Sequence, residues 1–334
     1  MIRILKPAIL GSLSFLLVGE LAATEWNVSL WGQRRAFTEH VEKLAELVSE
    51  KTDGKFTLNL SYGGLSASRE NLDGIAIGAF EMAQICAGYH GDKNPSITVL
   101  ELPFLGVNLL EQESAVSRGV YQHPAVMADL ARWNATLLMP TPQPQYNIAG
   151  VGDPPRRVAE FDGLAVRALG GIGSAMKAVG AVPTSMAAPE IRLALDTGVI
   201  TAVAAAPHAH MAFGVADVAT WWTTNLNPGT GNCPIVVNSD ALNALHETER
   251  DALLSSVDTA LDHFISFYNG HTLARWESVL DNNGIERITY SDEELAAFRE
   301  AVADQAASDW IENNTARGLP AQELYNLVVS LAGS

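Results

Sequence analysis

Two hydrophobic periods alternate along this chain. WNVSLW (26–31) and KFTLNLSY (55–62) place apolar residues at every second position, the pattern of a half-buried strand. Between them, Phe37, Val41, Leu44, Leu47 and Val48 recur at helical spacing, and Gly54 stands where a helix C-cap belongs. SRENLDGIAIGA predicts a second helix and FEMAQICA a third strand. VLELPFLGV (99–107) follows a proline-containing loop. The order β-α-β-α-β favours a doubly wound sheet with parallel strands.

The pattern then repeats with different lengths. LLMPTPQPQYNIAG (137–150) is extended and rich in Pro and Gln, and DPPRR is a turn. The strand LAVRAL follows, then the helices SAMKAVGA and PEIRLALDTG, the strand-like GVITAVAAA (198–206), and the aromatic, polar segment 219–238, which ends in a strand. From about Glu247 to Leu280 runs one long helical pattern carrying Leu253, Val257, Leu261, Phe264 and Phe267. SDEELAAFREAVADQAASDWIENN reads as a terminal helix whose acidic first turn suits the helix dipole. Two α/β lobes with a cleft between them are the natural assembly, and open α/β sheets bind ligands at the carboxyl ends of their strands.

Length and charge narrow the picture. With 334 residues, two domains are accommodated, and 48% hydrophobic against 18% charged residues is a globular composition. A formal charge of −17 argues against nucleic acid or an anionic membrane as partner. Arg3 and Lys6 precede the apolar stretch 8–19, which is too short to span a bilayer comfortably, and small residues follow. This reads as a secretory signal peptide over 1–23, cut near Ala23, and implies an exported protein. Export permits a disulfide; the sequence alone does not say whether Cys86 and Cys233 come close enough to bond, and two free buried thiols are the favoured reading.

Candidate chemistry begins at Arg167, an arginine closing a strand that should be buried. A buried guanidinium cannot shed its proton, so it needs a carboxylate from the other lobe or a cavity holding an anion. Gly170, Gly171 and Gly173 leave the backbone open beside it. Ser174 is expected to start a helix with Ile172, Ala175, Met176 and Val179 on its apolar face, and a helix N-terminus suits an anion. A dinucleotide fingerprint fails at Met176, and no nucleophile elbow, P-loop or cysteine-rich metal site is present.

Several blocks, in this order and spacing, resemble the substrate-binding proteins of TRAP transporters, the DctP type. They are EKTDGKFTLNLSYGGLSASRENLDGIAIGAFEMAQ, ELPFLG (101–106), FDGLAVRALGGIGSAMKAVGAVPTSM and LALDTGVITAV. The resemblance implies an α/β, two-lobed periplasmic-binding-protein-like fold of class II type, with the ligand in the interlobe cleft. Two crossing strands and a long helix spanning both lobes would form the hinge. Lobe I is expected over 24–147 plus 234–270 and lobe II over 148–233 plus 271–334. The arginine at the position of Arg167 is then the carboxylate clamp. The small and large integral membrane subunits of the transporter are the implied partners, in the periplasm, with no cofactor and no metal.

This chain departs from the family pattern at several points. Tyr146 or Asn147 stands where many sialate and dicarboxylate binders carry a second arginine, Cys86 replaces an acidic residue, and Ala187 or Ala188 replaces a phenylalanine. A sialic acid or C4-dicarboxylate ligand is therefore not expected. Aromatic and imidazole groups take over: Trp31 beside Arg34 and Arg35, then Tyr89, Tyr146, His208, His210, Trp222 and Asn225. The expected ligand is a monocarboxylate with an aromatic or bulky apolar part, gripped by Arg167. Trp31, Tyr89 and Tyr146 would wall the site, with hydrogen bonds from His208 or His210. Two alternatives stand beside it: a zwitterion whose cation rests on the aromatic faces, and a secreted hydrolase or lyase using His208 and His210.

Overall fold

The structure is a computed structural model and describes residues 23–333; the expected signal peptide lies almost wholly outside the described residues. Eleven strands form two sheets. β1 (Thr24–Leu30), β2 (Phe56–Tyr62), β3 (Met82–Gln84), β4 (Ala135–Met139) and β10 (Ile235–Asn238) make one, ordered β2-β1-β3-β10-β4. β5 (Asn147–Gly150), β6 (Ala165–Arg167), β7 (Val182–Thr184), β8 (Ala202–Ala205), β9 (Trp221–Thr223) and β11 (Glu286–Ile288) make the other, ordered β11-β9-β5-β8-β6-β7.

Neither sheet is fully parallel. β1 pairs in parallel with β2 and β3, as expected, but β10 runs antiparallel to both β3 and β4. In the second sheet β5 runs antiparallel to β8 and β9. The physical reason is the crossing. The chain leaves the first sheet after β4 and returns to it at β10, so strands enter each sheet from opposite ends. Segment 99–107 is not a strand: Pro95–Glu101 is a 3-10 turn. The glycine-led helix starts at Gly170, not Ser174, and runs to Ala178; Ile172, Ala175 and Met176 face inward as expected.

Each sheet has its own core. Val28, Leu30, Leu44, Phe56, Ile235 and Leu261 meet around the first, and Ile148, Phe161, Val166, Met176, Trp221 and Phe298 around the second. The predicted long helix is present in pieces. Val257–Phe267 packs on helix Glu39–Lys51 beside the first sheet, a π turn follows over Tyr268–Thr272, and Leu273–Asn282 packs on helix Pro207–Ala212 beside the second. One continuous rod therefore serves both halves. The final helix, Ala321–Ala332, packs against Leu110–Tyr121 and the Pro95–Glu101 turn, burying Leu324 and Val328 with Val99 and Val116. The tail of the chain thus packs on elements that precede β4.

Candidate functional site

Arg167 is 4% exposed, at the carboxyl end of β6 between β7 and β8. It meets no carboxylate within ion-pair distance among the described residues. Its Nε and Nη2 donate to the Met186 carbonyl (3.3 and 3.1 Å), Nη1 donates to Ala204 O (3.4 Å), and Nη2 also donates to the Tyr89 hydroxyl (3.1 Å). The side chain is thus held by neutral acceptors that fix its direction, with no carboxylate paired to it directly. Tyr89 reaches across from the first half of the molecule, and its oxygen also accepts from Ala188 N (3.0 Å). With both lone pairs engaged, its own O–H is free to donate.

Arg167 lines a small cavity, about 40 Å³, shared with Trp31, Phe37, Tyr89, Glu101, Gln143, Tyr146, His208, Phe213 and the Cys86–Cys233 disulfide. The cysteines are therefore bonded, not free. Antiparallel register sets Ile235 opposite Gln84, and continuing it brings Cys233 opposite Cys86. The two crossing segments close the floor. Tyr146 OH donates to Gln143 Oε1 (3.0 Å), Gln143 Nε2 donates to Gly231 O (2.9 Å), and Tyr146 N donates to Gly229 O (2.8 Å).

Five of the eight residues expected in the site, Arg167, Tyr146, Trp31, Tyr89 and His208, come together here. The other three are placed elsewhere. His210 hydrogen-bonds Asn147 O (3.3 Å) and stacks on Trp276, Trp222 packs edge-on against the same Trp276, and Asn225 braces the backbone of Tyr290. Helical geometry explains His210: Pro207–Ala212 is a helix, so His208 and His210 point to different sides rather than along one strand face. His208 stacks on Phe37, and its Nδ1 lies 2.9 Å from Tyr268 OH; burial, with Arg35 nearby, pulls its pKa well down and keeps it neutral.

Two residues carry more than their sequence context suggested. Glu101 is 4% exposed; its Oε1 accepts from Gly88 N and Asn232 N (both 3.1 Å), and its Oε2 has no partner. Burial raises its pKa to about 7 against the pull of those bonds and of Arg167. The only signal for it was an acid set inside the apolar run VLELPFL. The glycines after Arg167 serve this contact: a Cβ on Gly171 would stand 2.2 Å from Glu101 O, and one on Gly170 2.5 Å from Glu101 Oε2. Arg35 is the second. Its guanidinium lies 4.4 Å from the Trp31 ring centroid, 4.6 Å from Phe37 and 5.2 Å from Phe213. These faces already hold a cation, so a zwitterion with its ammonium on Trp31 would meet like charge.

The comparisons agree with this architecture. A curated monocarboxylate 2-oxoacid-binding periplasmic protein of Nostoc sp. is 25% identical over 298 residues, 85% of this chain and 77% of that protein. Among solved structures, a Bordetella pertussis extracytoplasmic solute receptor binding pyroglutamic acid matches with TM-score 0.79 at 21% identity, over 92% of this chain and 99% of that one. A TRAP periplasmic solute binding protein from Bordetella bronchiseptica with bound (R)- and (S)-mandelate matches at 0.81 and 21%, over 93% and 99%. A marine metagenome TRAP solute binding protein specific for aromatic acid ligands, in complex with 3-hydroxybenzoate, matches at 0.83 and 18%, over 94% and 99%. The two-lobed periplasmic-binding fold is common to these solved structures. The profile of the DctP family, bacterial extracellular solute-binding protein family 7, matches residues 28–313, and the chain belongs to that family.

Proposed function

We propose that the chain is the periplasmic receptor of a TRAP transporter for a small monocarboxylate with a compact apolar or aromatic body, which it delivers to the membrane subunits. The carrying observation is the buried Arg167 guanidinium, held by carbonyls and Tyr89 and facing a cavity walled by Trp31, Phe37 and Phe213. A buried charge without a direct ion pair is costly, and a ligand carboxylate accepting two parallel hydrogen bonds offsets that cost. Tyr89 supplies a further donor, and the aromatic walls cover the ligand's apolar part.

Closure follows from the same contacts. Arg167 belongs to the second sheet, whereas Trp31 and Tyr89 follow strands of the first, so the ligand touches both halves only when they are together. The relatives support the ligand class: 2-oxoacids, pyroglutamate, mandelate and 3-hydroxybenzoate each carry one carboxylate beside a compact body.

The test is a thermal-shift screen of the protein lacking residues 1–23 against 2-oxoacids, mandelate, benzoates and pyroglutamate, repeated with Arg167→Ala. A ligand at a hundred times its Kd stabilises by about 2.7 kcal/mol. At least one acid should shift the wild type and leave Arg167→Ala unmoved. Hits undiminished in the variant would make Arg167 a structural residue and refute the clamp.

A further inference from the structure

A second cavity, about 210 Å³, opens beside the first between the loop after β1, helix Pro207–Ala212 and the π turn. Among the described residues, three arginines and two histidines line it and no aspartate or glutamate does, in a chain of formal charge −17. Arg34 is partly neutralised by Glu42. Arg35 is not: Nη1 donates to the Trp31 and Gln33 carbonyls (3.0 and 2.8 Å), while Nε and Nη2 are buried without a partner. Thr272, 2% exposed and on the π turn, presents a buried hydroxyl that also has none. Arg275 is exposed and has no ion pair among the described residues, and His271 stands beside it. Buried donors without acceptors are uncommon in folded proteins, and each needs an explanation. Here two residues with such donors, from elements distant in sequence, both line one space.

We propose that this cavity is a second anion site, taking a small oxyanion, carboxylate or sulfate, on Arg35 and Thr272 with Arg275 and His271 at its outer side. A bound oxygen accepts from Arg35 Nε and Nη2 in the fork arrangement that guanidinium geometry favours. Burial without an acid pulls down the pKa of Arg35, and a bound anion relieves that. The site stands apart from the Arg167 clamp, but His208 belongs to the walls of both cavities. An anion here sits one side chain from the inner cavity. The inference does not depend on what Arg167 binds.

Thermal shift and calorimetry with sodium sulfate and sodium acetate, against sodium chloride at equal ionic strength, test it on wild type, Arg275→Ala and Arg167→Ala. Arg275 has no partner to lose, so its variant should fold normally. At least one oxyanion should stabilise wild type beyond chloride. Its apparent Kd should rise about tenfold in Arg275→Ala and stay within about twofold in Arg167→Ala. Acetate binding would identify a staging site for the transported acid, and sulfate binding alone an inorganic oxyanion site. No stabilisation beyond chloride overturns the proposal, as does binding lost in Arg167→Ala and kept in Arg275→Ala. The second result would place the anion in the inner cavity and leave the clamp standing.

Discussion

Arg167 depends on Tyr89 for its aim and on Glu101 for the charge around it. Glu101 shares the inner cavity and titrates near neutrality, because burial outweighs its two backbone hydrogen bonds. Once ionised it repels an anionic ligand. Affinity for an acid should therefore fall as pH rises through about 7, by roughly fivefold for about 1 kcal/mol of like-charge interaction. Glu101→Gln keeps an acceptor for Gly88 N and Asn232 N and removes the charge. Calorimetry between pH 6 and 8 should show the decline in wild type and a flat profile in the variant; a decline persisting in Glu101→Gln would shift the effect to another group. Arg167 was readable in the sequence because an arginine inside an apolar strand demands a partner. The inward aim of Glu101 and the stacking of Arg35 were not, because both depend on segments far away in the chain.

Among the elements, the join between β3 and β10 matters most to the site. The disulfide ties residues 147 apart in sequence, and both sulfurs line the cavity. Closing so long a loop restricts the unfolded chain, and such a bond contributes roughly 2–5 kcal/mol. The Cys86→Ser, Cys233→Ser double variant should lose unfolding free energy of that size in urea titration, with a lower midpoint, and the native protein should show no titratable thiol. A reactive thiol in unreduced native protein would contradict the bond. The cysteines looked independent in the sequence because the antiparallel partner of β3 comes from a strand read there only as the end of an aromatic segment. The helix Pro207–Ala212 was similarly hidden: alanines leading into a proline give no period, and only Pro207 at the first helical position marks its start.

The buried ionisable groups of the whole molecule set its response to pH, and they act in opposite directions. Burial lowers His40 to about 3 and His90 and His210 to about 4, and His208 is lowered as well. These histidines are neutral when folded and take up protons on unfolding below 6.5, so their stability is present above 6.5 and lost as pH falls. Glu101 is raised to about 7 and Glu113 to about 8, from 4.5. Their contribution is present at low pH and lost as pH rises between 4.5 and about 8. Four histidines outweigh two carboxyls below 6.5, and the carboxyls alone slope downward above 7. Thermal midpoints should therefore peak between about pH 6 and 7 and decline on both sides. A midpoint still rising from pH 7 to 8 would show that the two glutamates are not buried as described.

By itself the sequence determined the alternation of strands and helices, the two α/β halves, a long helical segment late in the chain and the arginine at a strand end. All of these rest on local periodicity and on the cost of burying an unpaired charge. The tertiary structure alone decided the antiparallel returns, the disulfide, which histidine faces the inner cavity, the gathering of Glu101 and Gln143 around it and the stacking of Arg35 on its aromatic walls. Each of these brings together residues from separate segments, and a crossing chain carries no local mark of which segments it will set side by side.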